Sequence, residues 1–461
     1  MTFKDAIKKH QGLKILADKL NICSSLGRQR LFDTTFSTEE QWINRQLSLT
    51  SIVQTYLCED INRKNLIKLR ANLRELHDIG GTINLLQAKE VLDDVSLYEI
   101  KVFSIRCKKI KNLIFDLPSE DLTLPDLNEV IKILDPEGIE AQQFYIYSSY
   151  DFNLIELRKR LSQTTKENDH TAFEEIYSQC MEIENEVRQK LSADLMPYIN
   201  VLQKAMQIAA DLDIVFAKAV LNTEWRLTKP IISNKAATAY NGLSYPPITE
   251  ILESKGKKFQ PIDISIGEKP VLITGANMAG KTMLLKSLSF AQYSLQFGFF
   301  VAAKSASVCL VADIMTSIGD LQNEEEGLSS FASEILHINS IISKAKTGNR
   351  YLILIDELAR TTNPYEGKAI VEGFIKVINR QNSLCVITTH YSIPPNDCLK
   401  LRVKGFISQN IVPPIAIKDI NDHIDYSLAE DAETDVPHEA INLAKLLEID
   451  SEWLSECINE E

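Results

Sequence analysis

Between residues 176 and 216 the apolar positions recur at steps of three and four. They are Ile176, Cys180, Ile183, Val187, Leu191, Leu195, Tyr198, Leu202, Met206, Ala209, Leu212 and Phe216. That is the period of one helix face, so the stretch predicts one long amphipathic helix or two collinear ones. Pro197 lies inside it and predicts a kink, because proline removes a backbone donor and crowds the preceding turn. A shorter helix is expected over 153–161, with the polar residues 162–170 as a link. The pair predicts an antiparallel hairpin of long helices over about 151–222. From Met1 to about Thr228 glycine and proline are sparse and the helical period dominates, so 1–228 is expected to be all-helical.

The pattern changes near Lys229 and Pro230. Residues 233–247 read as loop. Beyond Phe259, short apolar runs alternate with helical stretches. Strands are expected at 271–273, 351–355 and 384–387, and helices at 281–296 and 367–379. Runs without alternation fit strands covered on both faces, and strand–helix–strand order gives a largely parallel sheet. A short helical pair is expected at 439–447 and 451–458, within an element of about 437–461. The fold class expected is therefore α + α/β, with a helical part at 1–228 and an α/β part at 229–461.

One loop carries specific chemistry. Gly275, Ala276, Asn277, Met278, Ala279, Gly280, Lys281 and Thr282 match G-x-x-x-x-G-K-[ST] in full, after an expected strand and before an expected helix. Glycines at both ends permit backbone angles that aim the loop amides at phosphate oxygens. Lys281 adds a point charge, and the Thr282 hydroxyl is a ligand for Mg²⁺. The expected ligands are ATP and Mg²⁺. Asp356 and Glu357 end an apolar strand, where two carboxylates are costly without a cation or a polarised water. Alone they would read as a simple acidic strand end. Beside this loop, Asp356 reads as the Mg²⁺-side carboxylate and Glu357 as the base that orients water. His390 follows the next strand and suits a γ-phosphate sensor; a lone histidine is more often structural.

Composition narrows the class. The 461 residues carry 50 basic and 63 acidic side chains, a formal net charge of -13, and no basic domain stands out. Nucleic-acid binders usually show a basic stripe. The eight cysteines, Cys23, Cys58, Cys107, Cys180, Cys309, Cys385, Cys398 and Cys457, form no C-x-x-C pair and read as reduced thiols. No signal-peptide core or apolar run of membrane length is present, so a cytoplasmic protein with no membrane partner is expected.

Taken together, residues 259–392 resemble the ATPase domain of the MutS family of ABC-type P-loop ATPases. Residues 275–282 are similar to its G-P-N-M-G-G-K-S, and residues 356–362 to its D-E-L-G-R-G-T. Thr388-Thr389-His390-Tyr391 is similar to A-T-H-Y, and Phe300-Val301-Ala302-Ala303 to F-V-P-A. Ser329, Ser330, Phe331 and Glu334 resemble the signature S-T-F-M-x-E. Before the ATPase, Leu26-Gly27-Arg28, Tyr150-Asp151-Phe152-Asn153 and Ala209-Ala210-Asp211-Leu212-Asp213 resemble segments of the family's helical core and levers.

The resemblance implies further roles. Phe259 would stack on adenine, although on the residues alone it reads equally as a core aromatic. Asn277 would join Lys281 at the γ-phosphate. Ser329 would act in trans on a partner's nucleotide, in a homodimer or a heterodimer with a related MutS-like subunit; it also stands where a helix N-cap belongs. Departures from the family pattern are Leu328 for the usual arginine, and Ala359 and Thr361 for two glycines. No mismatch-reading, connector or clamp domain is legible. Two functions follow as expectations. One is a DNA-repair-type ATPase gripping DNA. The other is a protein-remodelling ATPase on a partner protein, such as a reactivation factor for a cobalamin-dependent aminomutase.

Overall fold

The structure, a computed structural model, describes residues 1–140, 144–167, 170–275, 280–319, 330–360, 362–407, 420, 422–431, 450, 452–453 and 455. The element expected at about 437–461 lies almost wholly outside these. The chain divides into two compact units. One comprises 20–34 and 48–220, and the other 1–19, 35–47 and 221–461. The division is thus not a single cut near residue 228, since two N-terminal segments belong to the second unit.

Every named element within 20–34 and 48–220 is a helix. Helix Phe152–Glu167 runs through most of what reads as a polar link, and helix His170–Leu195 lies beside it. Arg158 Nη2 meets Glu184 Oε1 at 2.8 Å across the pair. Ser162 and Gln163 are exposed residues of that longer helix. At Pro197 the helix breaks into a 3-10 turn, Met196–Tyr198, and resumes as Ile199–Glu224. Missing donor and crowding ring account for that interruption. Leu202, Ala205, Ala209 and Leu212 of the resumed helix are buried with Leu69, Leu73, Leu97, Ile100 and Phe103 in one apolar cluster.

Asp213 anchors the start of helix Ser25–Asp33 to this core. Its carboxylate accepts from Cys23 N at 3.0 Å, Ser24 N at 2.7 Å and Ser24 Oγ at 2.6 Å. A Cβ on Gly27 would lie 2.7 Å from Asp213 Oδ2, so only glycine admits the carboxylate so close. An anion at a helix N-terminus also meets the positive end of the helix dipole.

The second unit holds all the described strands: β1 Ile231–Ile232, β2 Thr238–Leu243, β3 Ile262–Ile266, β4 Val271–Thr274, β5 Ser305–Val308, β6 Asp313–Ser317, β7 Tyr351–Ile355, β8 Leu384–Thr388, β9 Leu399–Phe406 and β10 Ile424–Glu430. One sheet has the order β1-β5-β2-β3 and the other β10-β9-β4-β8-β7-β6. The larger sheet is parallel apart from β10, which pairs antiparallel with β9. Within the smaller sheet, β2 occupies residues expected to be loop. In β2 the alternation is carried by Thr238 and Tyr240 against Ala239 and Asn241, and Gly242 sits at φ 63° beside a register shift. Small polar side chains and a bulge hide the period from an apolar count.

Helix Lys281–Gln296 is buried along almost its whole length. One of its buried polar residues ties it to its surroundings: Gln296 Nε2 donates to Val311 O at 2.8 Å and to Ser37 O at 2.9 Å. The N-terminal segments reach the same helix. Phe3, fully buried, meets Phe297 edge-on at 5.1 Å, and Phe36 meets Tyr293 at 5.7 Å. Among the described residues no helix is long and apolar enough to cross a membrane.

Two measurements test these contacts. Asp213→Ala leaves buried amides without an acceptor and should cost about 3 kcal/mol, read from the urea unfolding of the helical unit. Unchanged unfolding would contradict the anchor. His10 is half-buried against Phe290 and Tyr293; burial first, then the charge of Lys286, lower its pKa from 6.5 to about 4. Its neutral form is favoured by folding, so that stability is fully present above about pH 6.5 and is lost as pH falls toward 4. Between pH 7 and 5 the wild type should lose about 2 kcal/mol more than His10→Asn. Parallel pH profiles would refute it.

Candidate nucleotide site

Parallel strands deliver the site. The carboxyl ends of β4, β8 and β7 lie side by side, and a chain leaving each reaches a common edge. From β4 the chain passes Gly275, at φ 141°, and Gly280, at φ 71°, into the helix that begins at Lys281. Ala276, Asn277, Met278 and Ala279 lie outside the described residues, as do Ser329 and Thr361. A Cβ on Gly280 would meet the Tyr426 ring at 3.0 Å, so that ring lies over the glycine.

Lys281, with a side chain only 2% exposed, donates from Nζ to Gly275 O at 2.5 Å. It lies 3.4 Å from His390 Nδ1 and 3.7 Å from Glu357 Oε1. Thr282 Oγ1 donates to Asp356 Oδ2 at 2.5 Å. Asp356 Oδ1 accepts from Thr388 Oγ1 at 2.6 Å, and Thr388 Oγ1 also accepts from Glu357 N at 2.9 Å. Glu357 closes the cluster. Its Oε1 is 2.5 Å from His390 Nε2 and its Oε2 is 3.1 Å from Arg360 Nη1. Burial raises the Glu357 pKa, but hydrogen bonds from Arg360 and His390 and the Lys281 charge outweigh it and hold the carboxyl below its ordinary value.

Five of the residues picked from the sequence are therefore joined: Lys281, Thr282, Asp356, Glu357 and His390. Phe259 is half-buried and follows helix Pro246–Ser254 in sequence, before β3. Its neighbour Gln260 accepts from Tyr426 N at 3.0 Å and donates to Asp425 at 2.7 Å. From sequence Thr388 enters only as part of the A-T-H-Y resemblance, with no role of its own, and Tyr426 does not enter. Thr388 had one local signal, a hydroxyl ending an otherwise apolar strand. Tyr426 had none, since it comes from the antiparallel edge strand 146 positions beyond Gly280. The turn after β7 is unusual in backbone as well. Glu357 and Ala359 have φ of 52° and 60°, a region costing about 1–2 kcal/mol per residue for a side chain.

Two oxygens 2.5 Å apart, Thr282 Oγ1 and Asp356 Oδ2, form a donor set suited to a hard cation. Gly280, at φ 71°, gives the loop the left-handed backbone from which the helix of Lys281 starts. The residues present thus fit a nucleotide with Mg²⁺.

The family model described as MutS domain V matches residues 271–403, from the start of β4 into β9. The chain is 28% identical over 399 residues to the Endonuclease MutS2 of Caldicellulosiruptor bescii, which covers 80% of this chain and 48% of that protein. It is 28% identical over 312 residues to the Endonuclease MutS2 of Ligilactobacillus salivarius, 66% of this chain and 36% of that one. With the DNA mismatch repair protein MutS of Bacillus cytotoxicus it shares 29% over 259 residues, 56% of this chain and 28% of that protein. The chain spans about half the length of the curated relatives it matches, or less. All five joined residues fall inside the matched segment, which is similar to MutS domain V.

Proposed function

We propose that this chain is a MutS-type ATPase that couples ATP binding and hydrolysis to a conformational change on bound DNA. One observation carries the reading. A phosphate-type lysine, a hydroxyl–carboxylate pair, a second carboxylate and a histidine are joined at the carboxyl edge of a parallel sheet. In this reading Thr282 and Asp356 hold Mg²⁺, which when bound supplies charge neutralisation at the phosphates. Lys281 leaves Gly275 O for the β- and γ-phosphate oxygens, and Asn277 assists it. Glu357 accepts a proton from the attacking water, and His390 holds that carboxylate oxygen while facing the γ-phosphate. Phe259 lies against the adenine. A dimer, homomeric or with a related MutS-like subunit, completes the site with Ser329 of the partner subunit. The domain reading is a helical core and lever part followed by the ATPase part, in a cytoplasmic protein.

The DNA ligand rests on the names of the relatives, which describe an endonuclease and a mismatch repair protein. Measuring ATPase rate with duplex, branched and mismatched DNA over a salt series tests it. Stimulation that falls as salt rises supports DNA, because counterion release drives such binding. Absence of both stimulation and binding would sink the DNA reading and point to a protein partner.

Two substitutions test the site itself. Glu357→Gln should keep ATP affinity and slow turnover by about a hundredfold or more, the usual worth of a general base; undiminished turnover removes Glu357 from its role. Gly280→Ala forces a side chain into a left-handed position against Tyr426. It should weaken binding of a fluorescent ATP analogue by about tenfold, and unchanged affinity would contradict the loop assignment.

A further inference from the structure

The turn that presents Glu357 is held by two side chains outside the set above. Ala359 is fully buried at φ 60°, two residues beyond Glu357 at φ 52°. Its amide donates to Glu334 Oε1 at 3.0 Å, and its carbonyl accepts from Tyr391 Oη at 2.7 Å. Both polar groups of that residue are thus held by a side chain. Glu334 comes from helix Ser330–Ala345, and Tyr391 follows His390 directly. One short segment therefore meets the turn twice, with His390 on Glu357 and Tyr391 on Ala359. Gly367, in helix Pro364–Ile378, makes the space for this: a Cβ there would collide with the Tyr391 hydroxyl. Burial, then the charge of Glu334, raises the Tyr391 pKa, so the phenol stays a donor.

A left-handed turn on residues with side chains persists only where its surroundings over-determine it. Freed of the two bonds, the backbone after Glu357 has lower-energy conformations in the right-handed region. That change would carry the Glu357 carboxylate off His390. We propose that Glu334 and Tyr391 are positioning residues for hydrolysis, clasping the Ala359 peptide so that Glu357 is aimed at the attacking water. The inference rests on the ATPase reading above. Neither residue touches the reacting atoms; both act through the backbone of the turn.

The test measures steady-state ATP hydrolysis and ATP-analogue binding on the full chain. The variants are Glu334→Ala, Glu334→Gln, Tyr391→Phe and Gly367→Ala, each checked by thermal melting. Glu334→Ala and Tyr391→Phe should each lower kcat by about tenfold, the worth of one hydrogen bond felt at the transition state. KM and analogue affinity should stay within about twofold, since the interaction acts on chemistry and not on binding. Glu334→Gln keeps an acceptor oxygen and should restore most of the loss, whereas Gly367→Ala should reproduce Tyr391→Phe. Should Glu334→Ala unfold, Tyr391→Phe, which removes a single oxygen, decides alone. Unchanged kcat in Tyr391→Phe, or equal losses in Glu334→Gln and a folded Glu334→Ala, would overturn the clasp while leaving the ATPase reading intact. A wild-type chain that hydrolyses no ATP would overturn both.

Discussion

Burying the ammonium of Lys281 is the constraint on which the rest of the site depends. A cation with a 2% exposed side chain is costly unless acceptors and opposite charge surround it. Gly275 O, Glu357 and the His390 ring lie around it. Each stands just beyond the end of a different parallel strand, so the register of β4, β7 and β8 sets the distances. Thr388, in the middle strand of the three, then joins the Asp356 carboxylate to the Glu357 backbone. The cluster is held by its own charges, and the lowered pKa of Glu357 reflects the same balance.

A second constraint is backbone geometry. Left-handed residues at 357 and 359 aim one carboxylate back at the sheet edge, a direction a right-handed turn would not give. The cost of that turn is offset by contacts from three elements: the helix of Glu334, the segment of His390 and Tyr391, and the buried Leu358 in the core. Positive φ beside a candidate catalytic group is a common location for strain that a surrounding structure must hold.

The helical unit obeys a comparable rule at Asp213. A buried carboxylate is tolerated there because two amides and a hydroxyl face it, and because Gly27 carries no side chain. The segments around Gly27 and Asp213, far apart in sequence, meet at that carboxylate and at the Arg30–Asp211 ion pair, 2.9 Å. In each unit, then, a buried charge ties together segments that no local period relates.

By itself, the sequence determined the strong local signals. Apolar steps of three and four marked the long helices, unbroken apolar runs marked β4, β7 and β8, and a glycine-bounded loop with Lys281 and Thr282 marked a phosphate site. These are legible because helix period, strand burial and loop chemistry are set within a few residues. Only the tertiary structure decided strand β2, whose alternation rests on Thr238 and Tyr240 and which pairs with β3 and β5 farther along the chain. It also decided where residues 1–19 and 35–47 belong, since Phe3 and Phe36 find their aromatic partners about 260 to 290 positions later. Thr388, Tyr391 and Glu334 likewise gain their meaning from distances across strands and helices. Periodicity reports which face of an element is buried; what that face meets is a property of the packed chain alone.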